Sequence, residues 1–148
     1  MEISAPGVLF IEDQEGFRAT VYEDMAGYPT IGYGHKVSRG ESFPDGITRE
    51  GAEALLQKDV APIEEALNCI VPPTCTQNQF DALCSFGFNL GGVRLGQLLA
   101  HGWDFVPLQM MRWDYANVGG VETVVEGLKA RRAKEVALFT NPKAPMTA

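Results

Sequence analysis

The feature that most constrains this chain is a change of texture over residues 17–37. There, β-branched and aromatic residues mix with turn formers: Thr20, Val21 and Tyr22, then Asp24-Met25-Ala26-Gly27, then Thr30, Ile31 and Tyr33. Most of the remaining chain spaces its apolar residues with a helical period. The stretch predicts a small antiparallel sheet built around a hairpin. Gly32 and Gly34 fall inside it, and glycine in a strand often marks the close approach of another segment or a ligand.

Helices are expected on both sides. Ser4 can cap a first helix with Pro6 in its opening turn, and Gly16 stops it, so the helix ends near Glu15. Residues 38–46 form a polar loop. Thr48 caps a second helix with Ala52, Leu55, Leu56, Val60, Ile63 and Leu67 at helical spacing, which Pro62 should kink or restart. Thr76-Gln77-Asn78-Gln79 is a capping box by residue type. It opens an apolar helix with Phe80, Leu83, Cys84 and Phe88, closed by Gly91-Gly92. Shorter helical pieces follow around residues 95–100 and 107–115. A last long helix is expected from about residue 121 to 139, with Val124, Val125, Leu128, Val136 and Phe139 on one side, before a frayed tail at 141–148. The sum is an α+β chain forming a single domain of residues 1–148. A small helix-plus-sheet N-terminal lobe (about 1–60) is followed by a helical C-terminal lobe (about 61–148). The helix near residues 49–68 spans both lobes, and a cleft between them suits an extended polymer.

Bulk properties exclude several functions. The chain has 148 residues, is 45% hydrophobic and 21% charged, and carries a net charge of -7 with a pI near 4.8. An acidic chain lacks the basic face that nucleic acid requires and has no electrostatic pull toward an anionic membrane. No stretch approaches the ~18 apolar residues that cross a bilayer. Residues 1–10 have an early Glu2, no basic cluster and a short apolar run, so neither a signal peptide nor a membrane anchor is expected. The chain should be made in the cytoplasm, and an external substrate would require something to carry it across. Cys69, Cys75 and Cys84 contain no CxxC pair and the only histidines are His35 and His101. These argue against a structural zinc site, and the cysteine count excludes a dense disulfide scaffold.

Two carboxylates stand in contrasting places. Glu15 sits at a helix C-terminus, whose partial negative charge opposes a second one, a setting that suits a general acid. Asp24 lies in a wetter turn and should stay charged. Such a pair is what glycoside cleavage needs, and the Thr30 hydroxyl beyond the turn can hold a water. With 19 acidic residues in the chain, this spacing is also easily met by chance. A solvated helix end and an ordinary Asp turn would explain both residues.

The surrounding residues narrow the choice. Glu15-Gly16-Phe17-Arg18, Tyr22-Glu23-Asp24 and Gly27-Tyr28-Pro29-Thr30-Ile31-Gly32-Tyr33-Gly34-His35 resemble the active-site segment of the phage lysozyme family, the endolysins of the T4 and lambdoid type in glycoside hydrolase family 24. The family signature is Glu, eight residues, Asp or Cys, five residues, Thr; here residues 16–23 make the eight and 25–29 the five. Residues 76–83 and 86–91 resemble its middle helix, and Arg112-Trp113 with residues 127–135 resemble its closing region. The resemblance covers about residues 5–140.

The resemblance implies an α+β lysozyme-like fold and hydrolysis of the β-1,4 bond between N-acetylmuramic acid and N-acetylglucosamine in peptidoglycan. Glu15 takes the acid role, Asp24 the base or electrostatic role, and Thr30 holds the attacking water, with inversion at the sugar carbon and no cofactor. It further implies a His35–Asp59 pair between sheet and connecting helix, with Arg132 facing Glu15. Asn89 would line the cleft and bond an acetamido group or a wall-peptide amide, although a helix-capping Asn explains it as well. Trp113 reads as core. Cys69 and Cys75 are close enough in sequence to close a disulfide, but reduced cysteines are the default. Residues 93–99 and 116–123 depart from the family pattern, which bears on substrate fit more than on chemistry. The implied biology is a monomeric endolysin that waits in the host cytoplasm and reaches the periplasm through a holin-type partner. Two rivals remain. A lytic transglycosylase cuts the same bond with one Glu and no second carboxylate. A non-catalytic wall-binding module could keep the fold alone.

Overall fold

The computed structural model describes residues 1–141. The element order is α1 (Ala5–Glu15), β1 (Arg18–Glu23), β2 (Pro29–Gly32), β3 (His35–Lys36), α2 (Arg49–Ile70), α3 (Gln77–Leu90), α4 (Gly92–Leu99), a 3-10 turn (Trp103–Phe105), α5 (Val106–Met110), β4 (Tyr115–Val118), β5 (Val121–Val124) and α6 (Glu126–Thr140). The architecture is α+β, as the sequence predicts.

Local chemistry sets the first elements. The Ser4 hydroxyl accepts from Gly7 N at 3.1 Å, and the Gly16 amide closes α1 onto Glu12 O at 2.9 Å. The Ser4 hydroxyl also donates to buried Asp81 on α3, and Ser4 N donates to the same carboxylate at 3.0 Å. The cap of α1 is therefore also its anchor. β1, β2 and β3 form an antiparallel sheet in that order, with Tyr22 opposite Thr30 and Ile31 opposite His35. Ile31 is buried, and a Cβ on Gly32 would stand 2.9 Å from the Ala52 Cβ, so the sheet lies directly on α2.

α3 is the axis of the molecule. The predicted capping box forms: Gln79 N donates to Thr76 Oγ1 at 3.2 Å and Thr76 N to Gln79 Oε1 at 2.9 Å. α1, α2, α4 and α6 all pack on this helix, around Phe80, Leu83, Cys84 and Phe86.

Two expectations need correction. α2 does not restart at Pro62 but is a single helix from Arg49 to Ile70. Pro62 and Lys58, whose carbonyl loses its helical donor, are both exposed, so water can satisfy the gap. Buried Leu56, Val60 and Leu67 hold the helix on either side. The last helix does not begin at residue 121. Residues 121–124 are β5, paired with β4 from Tyr115↔Val124 to Val118↔Val121. Gly119 and Gly120 turn the hairpin at φ 60 and 86, the pair of positive angles that a two-residue hairpin turn demands. The β-branched run of Val121, Thr123, Val124 and Val125 is strand chemistry, and α6 starts only at Glu126. The expected frayed tail lies outside the described residues apart from Asn141.

Candidate active site

Glu15 ends α1 with its side chain 19% exposed. Arg131 of α6 donates from Nη1 to Glu15 Oε1 at 2.5 Å. On the other side is the β2–β3 turn. A Cβ on Gly34, which has φ 76, would lie 2.9 Å from Glu15 Oε2. The carboxyl group is thus held between a guanidinium and bare backbone. The Tyr22 hydroxyl of β1 is near enough that Glu15 contributes to raising its pKa, after the larger effect of burial.

Asp24 follows β1 and is fastened to its own turn. Oδ1 accepts from Ala26 N at 2.9 Å and Tyr28 N at 2.8 Å, while Asp24 N donates to Tyr28 O at 2.9 Å. One carboxylate oxygen is thereby occupied and the other is left for solvent or substrate. Thr30, on β2, is only 2% exposed. Its hydroxyl donates to Tyr28 O at 2.9 Å. With that hydrogen committed, the oxygen can only accept.

His35 and Asp59 meet as expected, Nδ1 to Oδ2 at 2.7 Å. A second partner was not anticipated: Nε2 lies 3.0 Å from Glu41 Oε1 in the loop before α2. Burial opposes charge on the imidazole, but hydrogen bonds to Asp59 and Glu41 and their charges outweigh it, and the pKa rises above the ordinary 6.5. Glu41 is pulled down to about 2, chiefly by the Ser38 backbone N–H and then by His35.

The expected Arg132–Glu15 contact is not made. Arg131 takes that place, while Arg132, fully buried, turns into the core. Its Nη2 donates to Asn89 Oδ1 at 2.8 Å and to Glu135 Oε1 at 2.9 Å. Its Nε stands 2.7 Å from Glu135 Oε2 in an ion pair off the hydrogen-bond line. The guanidinium lies 5.0 Å over the Phe86 ring. Burial pulls the Arg132 pKa below its usual value, and Glu135 opposes the fall. Adjacent helical residues point about 100° apart, so a difference of one position separates an arginine that meets Glu15 from one that is buried in the core. Ser85 and Glu135 complete this cluster, and the sequence assigns neither of them a role of its own.

Asn89 lies at the end of α3 and borders two hollows of the cleft. One, of about 440 Å³, is lined by Gly34, His35, Asp59, Phe88 and Gly91 among others. The other, of about 420 Å³, is bounded by Arg94, Tyr115, Asn117 and Glu122. Its oxygen is occupied by Arg132, which leaves the amide NH2 for a ligand. Trp113 packs against the core with an edge toward Phe86 at 6.1 Å. Cys69, Cys75 and Cys84 are all free thiols. Among the described residues no group of three or more His, Cys, Asp or Glu could hold a metal.

The arrangement offers a Glu15 carboxyl group paired with a guanidinium, a carboxylate fixed to its turn at Asp24 and a hydroxyl at Thr30 that can only accept. Residues 12–135 match the family model described as phage lysozyme. The endolysin of Acyrthosiphon pisum secondary endosymbiont phage 1 is 38% identical over 145 residues, covering 94% of this chain and 98% of that one. The endolysin of Salmonella phage P22 is 43% identical over 95 residues, 62% of this chain and 64% of that one. Among solved structures, an endolysin from Escherichia coli O157:H7 phage FAHEc1 superimposes with TM-score 0.83 at 33% identity, covering 98% of this chain and 97% of that one. The muramidase domain of SpmX from Asticaccaulis excentricus gives TM-score 0.83 at 39% identity, covering 95% and 99%.

Proposed function

The chain belongs to the phage lysozyme family, and from that premise we propose how its site cuts peptidoglycan. It is a glycoside hydrolase, a muramidase of the endolysin type that cleaves the β-1,4 bond between N-acetylmuramic acid and N-acetylglucosamine. In our reading Glu15 gives its proton to the departing glycosidic oxygen as the bond breaks. A water held between Asp24 and Thr30 attacks the sugar carbon from the opposite face and passes a proton to Asp24.

The observation that carries this reading is the hydrogen-bond state of Asp24 and Thr30. Asp24 has one oxygen tied to the turn and Thr30 has its hydrogen tied to Tyr28 O. Each is left with an oxygen that can accept from a water, and a water that donated to both would turn its lone pair toward the sugar. The product is inverted at the sugar carbon. A lytic transglycosylase would have no use for this pair. Arg131 steadies Glu15, and the Asn89 amide donates to an acetamido or wall-peptide carbonyl. The His35–Asp59 pair, extended by Glu41, keeps the sheet on α2. No cofactor takes part in these steps.

The delivery route belongs to the same proposal. The chain waits in the host cytoplasm and reaches the periplasm as a monomer through a holin-type partner. No helix among the described residues is long and apolar enough to cross a membrane.

Glu15→Gln tests the chemistry. The amide keeps the shape but has no proton to give, so lysis of permeabilised Gram-negative cells should fall by at least about a hundredfold while circular dichroism is unchanged. A folded variant that lyses at the wild-type rate would remove Glu15 from the mechanism.

A further inference from the structure

We propose that Glu135 is the positioning residue of the general acid: through Arg131 it fixes where the Glu15 carboxyl group points and sets the charge that Glu15 faces. This rests on the reading of Glu15 as the proton donor.

Glu135 is fully buried on α6, one turn beyond Arg131. Its Oε1 accepts three donors: Ser85 Oγ at 2.7 Å, Arg132 Nη2 at 2.9 Å and Arg131 Nε at 3.2 Å. Its Oε2 is paired with Arg132 Nε at 2.7 Å. A charged carboxylate so placed costs several kcal/mol of lost hydration, and apolar packing of the same volume is often as stable. Its presence calls for a use beyond stability, and the geometry supplies one. A guanidinium is a rigid planar fork. In Arg131, Nε is held by Glu135 and Nη2 by Ser85, at 3.2 Å to its carbonyl and 3.3 Å to its hydroxyl. With those two nitrogens fixed, the direction of the third is fixed too, and Nη1 meets Glu15.

Charge makes the second half of the argument. The cluster holds two arginines against two carboxylates, Glu135 and Glu15. Glu15 faces Arg131 of α6, the Tyr22 hydroxyl of β1 and the bare backbone at Gly34. Glu135 faces Arg131 and Arg132 on its own helix and Ser85 on α3. If Glu135 lost its charge, both guanidinium charges would bear on Glu15 alone. Its ionised form would be favoured and the proton it must deliver would be held less firmly.

The test is the pH–rate profile of Glu135→Gln in the full chain, read as reducing ends released from purified peptidoglycan and scaled to the folded fraction. The basic limb should move by about one pH unit to lower pH, the size expected of a unit charge removed from the far side of one guanidinium. At the optimum, kcat should fall at least about tenfold with KM within about threefold. If burying two arginines without their carboxylate prevents folding, the double variant R132M/E135L replaces both members of the buried pair by apolar side chains, a replacement that proteins commonly tolerate. It should show a smaller shift in the same direction and the same loss of kcat, because Arg131 has lost its clamp. Wild-type limbs and kcat in the folded variant would overturn the proposal. An inactive Glu15→Gln with a wild-type profile for Glu135→Gln would defeat this inference alone, whereas an active Glu15→Gln would defeat the reading beneath it.

Discussion

Gly34→Ala is a sharp probe of the site because the structure predicts two separate effects. The first is on the backbone. Gly34 has φ 76, and an alanine forced there costs about 1–2 kcal/mol, which for a chain of this size lowers Tm by about 3–8 °C. The second is on Glu15. The new Cβ would lie 2.9 Å from Oε2, and ordinary contact begins near 3.4 Å, so the carboxyl group must retreat by about half an ångström. Arg131 stands on its other side at 2.5 Å and is itself clamped. The retreat can only be a rotation away from the bond to be protonated. A displacement of about 1 Å costs about a hundredfold in a positioned site, and half of that is expected to cost about tenfold or more. Gly40→Ala is the control. Gly40 has φ 92 with nothing within 4 Å of its Cβ position, so it should lose comparable stability and retain its rate within about twofold. Melting by circular dichroism and initial rates on purified peptidoglycan separate the effects. A Gly34→Ala protein with wild-type kcat, or one whose defect lies only in KM, would refute the claim that this glycine leaves room for the acid.

His35→Asn should flatten the pH dependence of Tm. The raised histidine pKa contributes stability that is full below the unfolded value near 6.5 and is lost as pH rises through the folded pKa; the depressed Glu41 contributes above its unfolded value near 4.5, and that part is lost as pH falls toward about 2. An unchanged Tm profile would show that the three-residue clamp does not couple to folding. Thr30→Val keeps a β-branched residue in β2 but removes the acceptor for water, and kcat is expected to fall about tenfold to a hundredfold with KM little changed; retention of full kcat would leave Asp24 to hold the water alone.

What the sequence revealed followed the range of the interaction. The Ser4 and Thr76 caps, the ends of α1 and α3 and the hairpin around Asp24 are decided within a few residues, and each is found where the chain predicts it. The placement of Glu15 beside Gly34 was anticipated only in kind, as a glycine that something must approach. The β4–β5 hairpin was misread because valines at residues 121, 124 and 125 fit a helical stripe as well as a strand. The Gly119-Gly120 pair was the signal that should have decided it. The facing of Arg131 and Arg132 was implied by the resemblance alone and differs by one position, which no local pattern in the chain resolves. Glu41 reaches His35 from an irregular loop and Glu135 is buried by α3 packing, so no local pattern distinguishes either from the other acidic residues of the chain.

The most direct test of the mechanism is proton NMR of peptidoglycan fragments in the first moments of digestion by the unaltered enzyme. Water attack opposite the departing oxygen predicts that the new N-acetylmuramic acid reducing ends appear first as the α anomer and only then equilibrate. If the β anomer appears first, or if anhydro ends form with no reducing anomer at all, the roles given to Asp24 and Thr30 are wrong.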